Sequence, residues 1–217
     1  GLITGVLLPI TVSIPVVYPW LTYWTQPRST ISILKNSKET RHWDLIIIAY
    51  GIIDFFNKSQ TKSVGEYITN FPILILTGII GGALAGYFRV WLWSWLLHLT
   101  GKWIGGIATR QHLRTAFVWS SLPTLTLAVF WIPFLFIHGE AFFKKGYVIL
   151  APYLVLDYTF AAVAFVAVAW KFILLLKSIS EVQGFSIWKA LLNLTFPIII
   201  ACAFFIPLAI VIGMIVK

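Results

Sequence analysis

The chain has 217 residues, 59% of them hydrophobic and only 11% charged, with a formal net charge of +9. A soluble domain carries about 25% charged residues, and these apolar runs are too long and unbroken for a water-facing fold. Nor do they alternate as the ~10-residue strands of a membrane barrel must.

The composition therefore implies an all-α polytopic membrane protein. Its cations flank apolar segments, the pattern of membrane orientation and contact with anionic lipid, so the charge is not read as nucleic-acid affinity. Cys202 is the single cysteine, which excludes a disulfide within this chain. It falls in the last apolar run, where a small core residue is expected. The sequence opens on Gly1 rather than methionine, as an internal starting point would.

Residues 1–24 are apolar but interrupted by Pro9, Pro15 and Pro19, which rule out one continuous spanning helix. An irregular arm lying on the membrane or on a neighbouring chain is expected here. Residues 25–217 then form a single transmembrane domain. In WTQPRSTISIL, Thr25 or Gln26 can cap a helix with Pro27 in its first turn. Ile31 and Leu34 share one face, while Arg28, Lys35, Lys38 and Arg41 supply the other. This is either a short basic interfacial helix or a plain basic flank to the first span.

Five spans are expected, at about 43–57, 71–99, 116–137, 147–171 and 191–216. The first is short against the ~20 residues that a crossing needs. Its polar ends, Asp44 and Asp54, imply a locally thinned bilayer or shielding by neighbours. A polar hairpin loop at 58–67 follows, and Asn70–Pro72 opens the next helix. The second span holds Gly78, Gly82 and Gly86 at four-residue spacing, a face that another helix backbone can approach closely. A homo-oligomer contact there is expected. Arg89, Trp91, Trp93 and Trp95 then suit the headgroup layer.

Residues 100–123, TGKWIGGIATRQHLRTAFVWSSLP, carry Lys102, Arg110 and Arg114 and no acid. Gly101, Gly105 and Gly106 stand where a helix should break. Trp103 and Trp119 are expected at the boundary, and Pro123 lies about one turn into the next apolar run. The stretch reads as a positive-inside loop with turn glycines, or as a contact for a partner. Ser120 and Ser121 are expected to hydrogen-bond backbone freed by Pro123. The third span carries Pro123 and Pro133 near its ends, and 138–146 is a short external loop.

In the fourth span Pro152 kinks or starts the helix, and Ala161, Ala162, Ala164, Ala167 and Ala169 slim it for packing. Arg89 and Asp157 are the two intramembrane charges singled out. They either pair across the second and fourth spans or sit on a proton or substrate path. The polar residues along the spans are too few for a convincing path. With the N-terminus inside, eleven cations fall on the inner side and only Lys58, Lys62, Lys144, Lys145 and Lys217 outside. That asymmetry favours an N-terminus in the cytoplasm and a C-terminus outside.

No catalytic motif is found, neither HExxH, GxSxG nor a Walker A loop. The histidines (His42, His98, His112, His138) are scattered. His98 and His112 could share one surface but lack carboxylate or thiol company, so no metal and no cofactor are expected.

Three segments carry a family resemblance. Gly101 through Gly105–Gly106, Arg114-Thr-Ala and Trp119-Ser-Ser-Leu-Pro123 resembles the central signature of the Yip (Ypt-interacting-protein) domain family. Trp24-Thr-Gln-Pro27-Arg28-Ser-Thr30-Ile31 looks like its N-terminal lead-in. Glu181-Val-Gln-Gly184-Phe185-Ser186-Ile-Trp188-Lys-Ala190 looks like its last cytoplasmic loop. Eukaryotic members act in Golgi and endoplasmic-reticulum trafficking and engage Rab-type GTPases. The compact form here is more similar to bacterial members, some of which accompany MacB-like ABC exporters, and Rab binding is not carried over.

The resemblance implies a non-enzymatic accessory protein. It would bind the permease or adaptor of such an exporter and assist its assembly in defence against toxic peptides. Two other readings stay open: a lipid-binding or bilayer-shaping protein whose partner is membrane lipid, and a small permease.

Overall fold

The computed structural model describes residues 19–36, 41–146 and 153–215. Residues 1–18 of the expected arm (1–24), Lys38, Pro152 and Lys217 lie outside the described residues, and the arm's last residues, 19–24, are helical rather than irregular. Every regular element described is helical.

Two short helices come first, α1 (Pro19–Thr25) and α2 (Pro27–Leu34). Pro27 at the first position gives α2 its start, since its missing N–H costs nothing there. Helix α3 (Arg41–Thr61) has 21 residues and extends past both ends of the expected first span. It reaches about 31 Å, the length of a crossing, but is not among the described helices apolar enough to make one. A 3₁₀ turn (Val64–Glu66) leads to α4 (Phe71–Trp103). Asn70 caps α4, its Oδ1 accepting from the Ile73 N–H at 3.1 Å.

The expected third span is broken into α5 (Arg110–Ser120), α6 (Leu122–Leu125) and α7 (Ala128–His138), with a bend of 46°. Pro123 denies the chain a helical N–H at the break. The Ser120 and Ser121 hydroxyls both donate to the Phe117 carbonyl, at 2.7 and 3.1 Å. They thus satisfy backbone at the break, on the carbonyl one turn back. Within the loop expected at 138–146, Gly139–Phe143 forms a second 3₁₀ turn that buries Phe142 and Phe143. Helices α8 (Leu154–Gln183) and α9 (Ile187–Ile215) complete the chain.

Among the described residues, α4 and α8 are long and apolar enough to cross a bilayer, and the bent α5–α7 run makes a third if it is one span. The chain is thus an all-α polytopic membrane protein.

Helix α4 is built inside out. Leu74, Gly78, Gly82, Gly86, Val90 and Ser94 form one buried row. The glycines do not offer a free face to a second copy, because α3 occupies it. A Cβ on Gly82 would sit 2.8 Å from the Ile52 Cα, and one on Gly86 2.7 Å from the Ile47 carbonyl oxygen. Gly51 on α3 answers them, with its own Cβ position falling on the Gly82 carbonyl oxygen. This is close backbone packing of the small-residue kind, within one chain. The alanines of α8 are less engaged: Ala167 is buried, whereas Ala161, Ala162 and Ala169 are exposed.

Two apolar clusters lie along the bundle. One centres on Tyr23, Leu97, Leu113, Trp119, Leu174 and Ile179. The other is a stack of rings around Phe56, Trp131, Phe142 and Phe143.

Candidate functional site

Three segments far apart in sequence meet at the end of the bundle where α4 stops, α5 starts and α8 turns into α9. Helix α4 does not break at Gly101, which is inside it, but after Trp103. Gly105 then takes φ +88°, a left-handed position that suits glycine. The Gly106 N–H returns to the Gly101 carbonyl at 2.8 Å, closing the turn.

The space above Gly101 and Gly106 is filled by the side chain of Gln183. A Cβ on Gly101 would fall on Gln183 Nε2, and one on Gly106 on Gln183 Oε1. The amide is 2% exposed. Its Oε1 accepts from the Ala108 N–H at 3.0 Å and its Nε2 donates to the Leu97 carbonyl at 3.3 Å. One glutamine therefore ties the end of α8 to both sides of the α4–α5 turn. The two glycines are there because an added methyl would expel it.

Gly184 ends α8 in the left-handed region (φ +68°), and the Phe185 N–H returns to the Ser180 carbonyl at 2.9 Å. Ser180 Oγ donates to the Phe185 carbonyl at 2.6 Å and accepts from Arg28 Nη2 at 3.3 Å. Arg28 thus ties the N-terminal segment to this turn. Beside it, the buried Tyr23 hydroxyl and Ser178 Oγ are 2.6 Å apart. Burial pushes the Tyr23 phenol well above its usual range, with the Ser178 bond a smaller opposing effect, so it stays protonated. Trp24 packs partly buried against the same cluster, and Pro27 is buried. Ser186 caps α9, its Oγ accepting from the Lys189 N–H at 3.3 Å. On α4, Thr100 Oγ1 donates to Asn193 Oδ1 at 2.7 Å.

Trp119 is not at the boundary. It is 1% exposed, with ring centroids 5.2 Å from Trp20 and 6.0 Å from Tyr23. What the junction leaves outside is a set of tips: Trp103 is 62% exposed, Ile107 79% and Trp188 76%. Lys102, Arg110 and Lys189 are exposed beside them in sequence. Gln183, Asn193, Ser178 and Ser180 are the junction residues that sequence reading did not single out. Their one signal is that a lone amide sits between glycine-bearing segments that already look paired.

The intramembrane charges pair differently from the expectation. Arg89 Nη2 meets Asp54 Oδ2 at 2.7 Å, not Asp157, because α3 is the neighbour of α4. Lys58 shares that carboxylate at 2.9 Å, and Arg89 Nη1 donates to the Tyr50 hydroxyl at 3.2 Å. Lys171 Nζ lies 3.9 Å from the Tyr50 ring centroid, extending the cluster to α8. Asp157 instead faces His138, with Oδ2 and Nε2 3.8 Å apart.

Among the described residues the junction positions side chains and presents surfaces. The carbonyl of Ala108 can only accept, so His98 Nδ1 donates to it at 3.0 Å, which fixes that ring in a structural role. Among the described residues no cluster of His, Cys, Asp and Glu could hold a metal ion.

Neither a curated protein nor a solved structure matches the chain. The family model of the Yip1 domain does, over residues 5–209, a match that takes in all three segments that meet at Gln183. On that match the chain belongs to the Yip1 domain family of membrane proteins.

Proposed function

We propose that the chain is a non-enzymatic accessory protein of the cell membrane that docks on a larger membrane complex through the tips presented by the Gln183 junction. The observation that supports this is the contrast within three short segments. Gly101, Gly106, Arg28 and Phe185 are spent on internal bonds and packing, while Trp103, Ile107 and Trp188 are left in the open. Exposed tryptophan on a rigid support is the residue type that carries interface energy.

The partner proposed is the permease or adaptor of a MacB-like ABC exporter, in a bacterial setting of toxic-peptide resistance. Five spans with a cytoplasmic N-terminus accompany this proposal, so that the junction faces the cytoplasm. Arg89 and Lys58 grip one carboxylate and so do not bear on orientation, but the remaining inner cations still outnumber the outer ones.

The test is a mild-detergent pull-down from native membranes, read by mass spectrometry, with a Trp103→Ser/Trp188→Ser variant in parallel. Recovery of an exporter subunit by the unchanged chain and its loss with the variant is the expected result. Equal recovery by both would sink docking through these tips. A second reading, lipid binding without a protein partner, is favoured by one observation, the basic cavity between α4 and α5. It expects function in liposomes holding this chain alone.

A further inference from the structure

A cavity of about 670 Å³ opens between the start of α3, the second half of α4 and the first turns of α5. Its walls include Trp43, Trp91, Trp95, Arg110, Gln111 and Arg114. The Arg114 guanidinium lies 5.8 Å from the Trp43 ring centroid, and its buried Nε has no hydrogen-bond partner. Arg110 is the first residue of α5, whose first turn holds no acid.

A helix start carries roughly half a positive charge. A cation placed there, with a second one turn on, is therefore a site of unbalanced positive charge. The nearest acid along α3, Asp44, keeps its charge at the rim, its Oδ1 accepting from the Tyr87 hydroxyl at 2.9 Å, so two guanidinium groups and the helix start stand against one carboxylate. Neither Arg110 nor Arg114 makes a salt bridge among the described residues.

The cavity is continuous with the outward face of α4. Leu76, Ile80, Leu84 and Phe88 follow one another at four-residue spacing on that face, and all are exposed. Twelve residues of helix rise about 18 Å. That is a little more than half of the ~30 Å hydrocarbon core, the depth of one leaflet. Trp91 and Trp95 sit between the stripe and the arginines, where indole rings prefer the boundary of headgroup and chain.

We infer that this cavity binds the phosphate of an anionic phospholipid, with one acyl chain laid along the Leu76–Phe88 stripe. Arg110 and Arg114 bind the phosphate oxygens, as guanidinium groups do with forked geometry. The start of α5 adds its partial positive charge, although the His112 N–H is already capped by Thr109 Oγ1 at 3.2 Å. Docking through Trp103, Ile107 and Trp188 uses other residues, so the lipid site stands or falls independently of it.

The full chain, purified in detergent and stripped of lipid, is titrated with phosphatidylglycerol or phosphatidylcholine and read by native mass spectrometry. Phosphatidylglycerol is expected to bind at least about tenfold more tightly, and Arg110→Gln/Arg114→Gln to abolish that preference. Arg110→Gln alone, at an exposed and unpaired side chain, should keep the fold and still lower the preference several-fold. Equal affinity for the two lipids, or a preference untouched by Arg110→Gln, overturns the site. Displacement of the lipid by an equal concentration of inorganic phosphate overturns the lipid assignment and leaves a phosphate site.

Discussion

The two apolar clusters are built on different principles. The ring cluster around Trp131 and Phe142 relies on large aromatic contacts, such as the stacked Phe134–Phe142 pair at 5.4 Å and the edge-on Trp131–Phe142 pair at 5.7 Å. Rings of this kind have several acceptable packings, and each pair contributes about 0.5–1.5 kcal/mol beyond its area. The Gln183 junction relies instead on missing side chains and hydrogen bonds that fit in one way only. A bundle end that must present a fixed surface needs the second kind of construction. One that only has to fill space can use the first. The family segments fall on the junction, not on the ring cluster.

That contrast can be broken at graded cost. Gly82→Leu attacks the α3–α4 backbone contact that both clusters share, since the nearest atoms it would meet are backbone atoms of Gly51 and Ile52, which cannot move aside. It should lower stability by about 4 kcal/mol or leave no folded protein, measured as thermal unfolding in detergent. Gln183→Leu keeps the volume but strands the Ala108 N–H and removes the second hydrogen bond on the Leu97 carbonyl, which the helix still satisfies. It should cost about 3 kcal/mol. Phe142→Leu in the ring cluster should cost only about 1–2 kcal/mol, because neighbouring rings can close on the smaller side chain. Trp188→Ser should change stability by less than about 0.5 kcal/mol, while removing partner recovery in the pull-down. If Phe142→Leu proved as damaging as Gln183→Leu, the distinction between the two ends would collapse.

Local signals were readable from the sequence. Asn70 and Pro27 mark helix starts by chemistry that needs no neighbour, and the Gly78–Gly82–Gly86 row announces a close approach. The identity of the approaching helix was not readable, because Gly51 stands alone in α3 without a repeat. The same gap misassigned Arg89. Its partner depends on which helices touch, and α4 touches its chain neighbour α3 rather than α8 at that level. Trp119 departs from expectation for a related reason: a tryptophan near a membrane edge suits the headgroup layer, and Trp20 and Tyr23 packing on it make it core. Gln183 was hidden by its type, since a glutamine in a polar loop motif reads as surface. The broken third span was half visible, through Pro123, but the bend itself is set by α6 packing on α3 and α8.

The central claim, that Gln183 is the reason for Gly101 at the junction, is tested most directly by a double-mutant cycle between Gly101→Ala and Gln183→Ala. In the unchanged chain the added methyl overlaps the amide, and Gly101→Ala should destabilise by about 2 kcal/mol. In the Gln183→Ala background the amide is gone and the nearest remaining atom, the Asn193 side-chain nitrogen at 3.3 Å, need shift only a few tenths of an ångström; alanine is also the better helix former, so the same substitution should stabilise by up to about 0.5 kcal/mol. A reversal of sign is the predicted result. An equal loss in both backgrounds would contradict the account, because Gly101 would then be needed for some reason other than the glutamine above it.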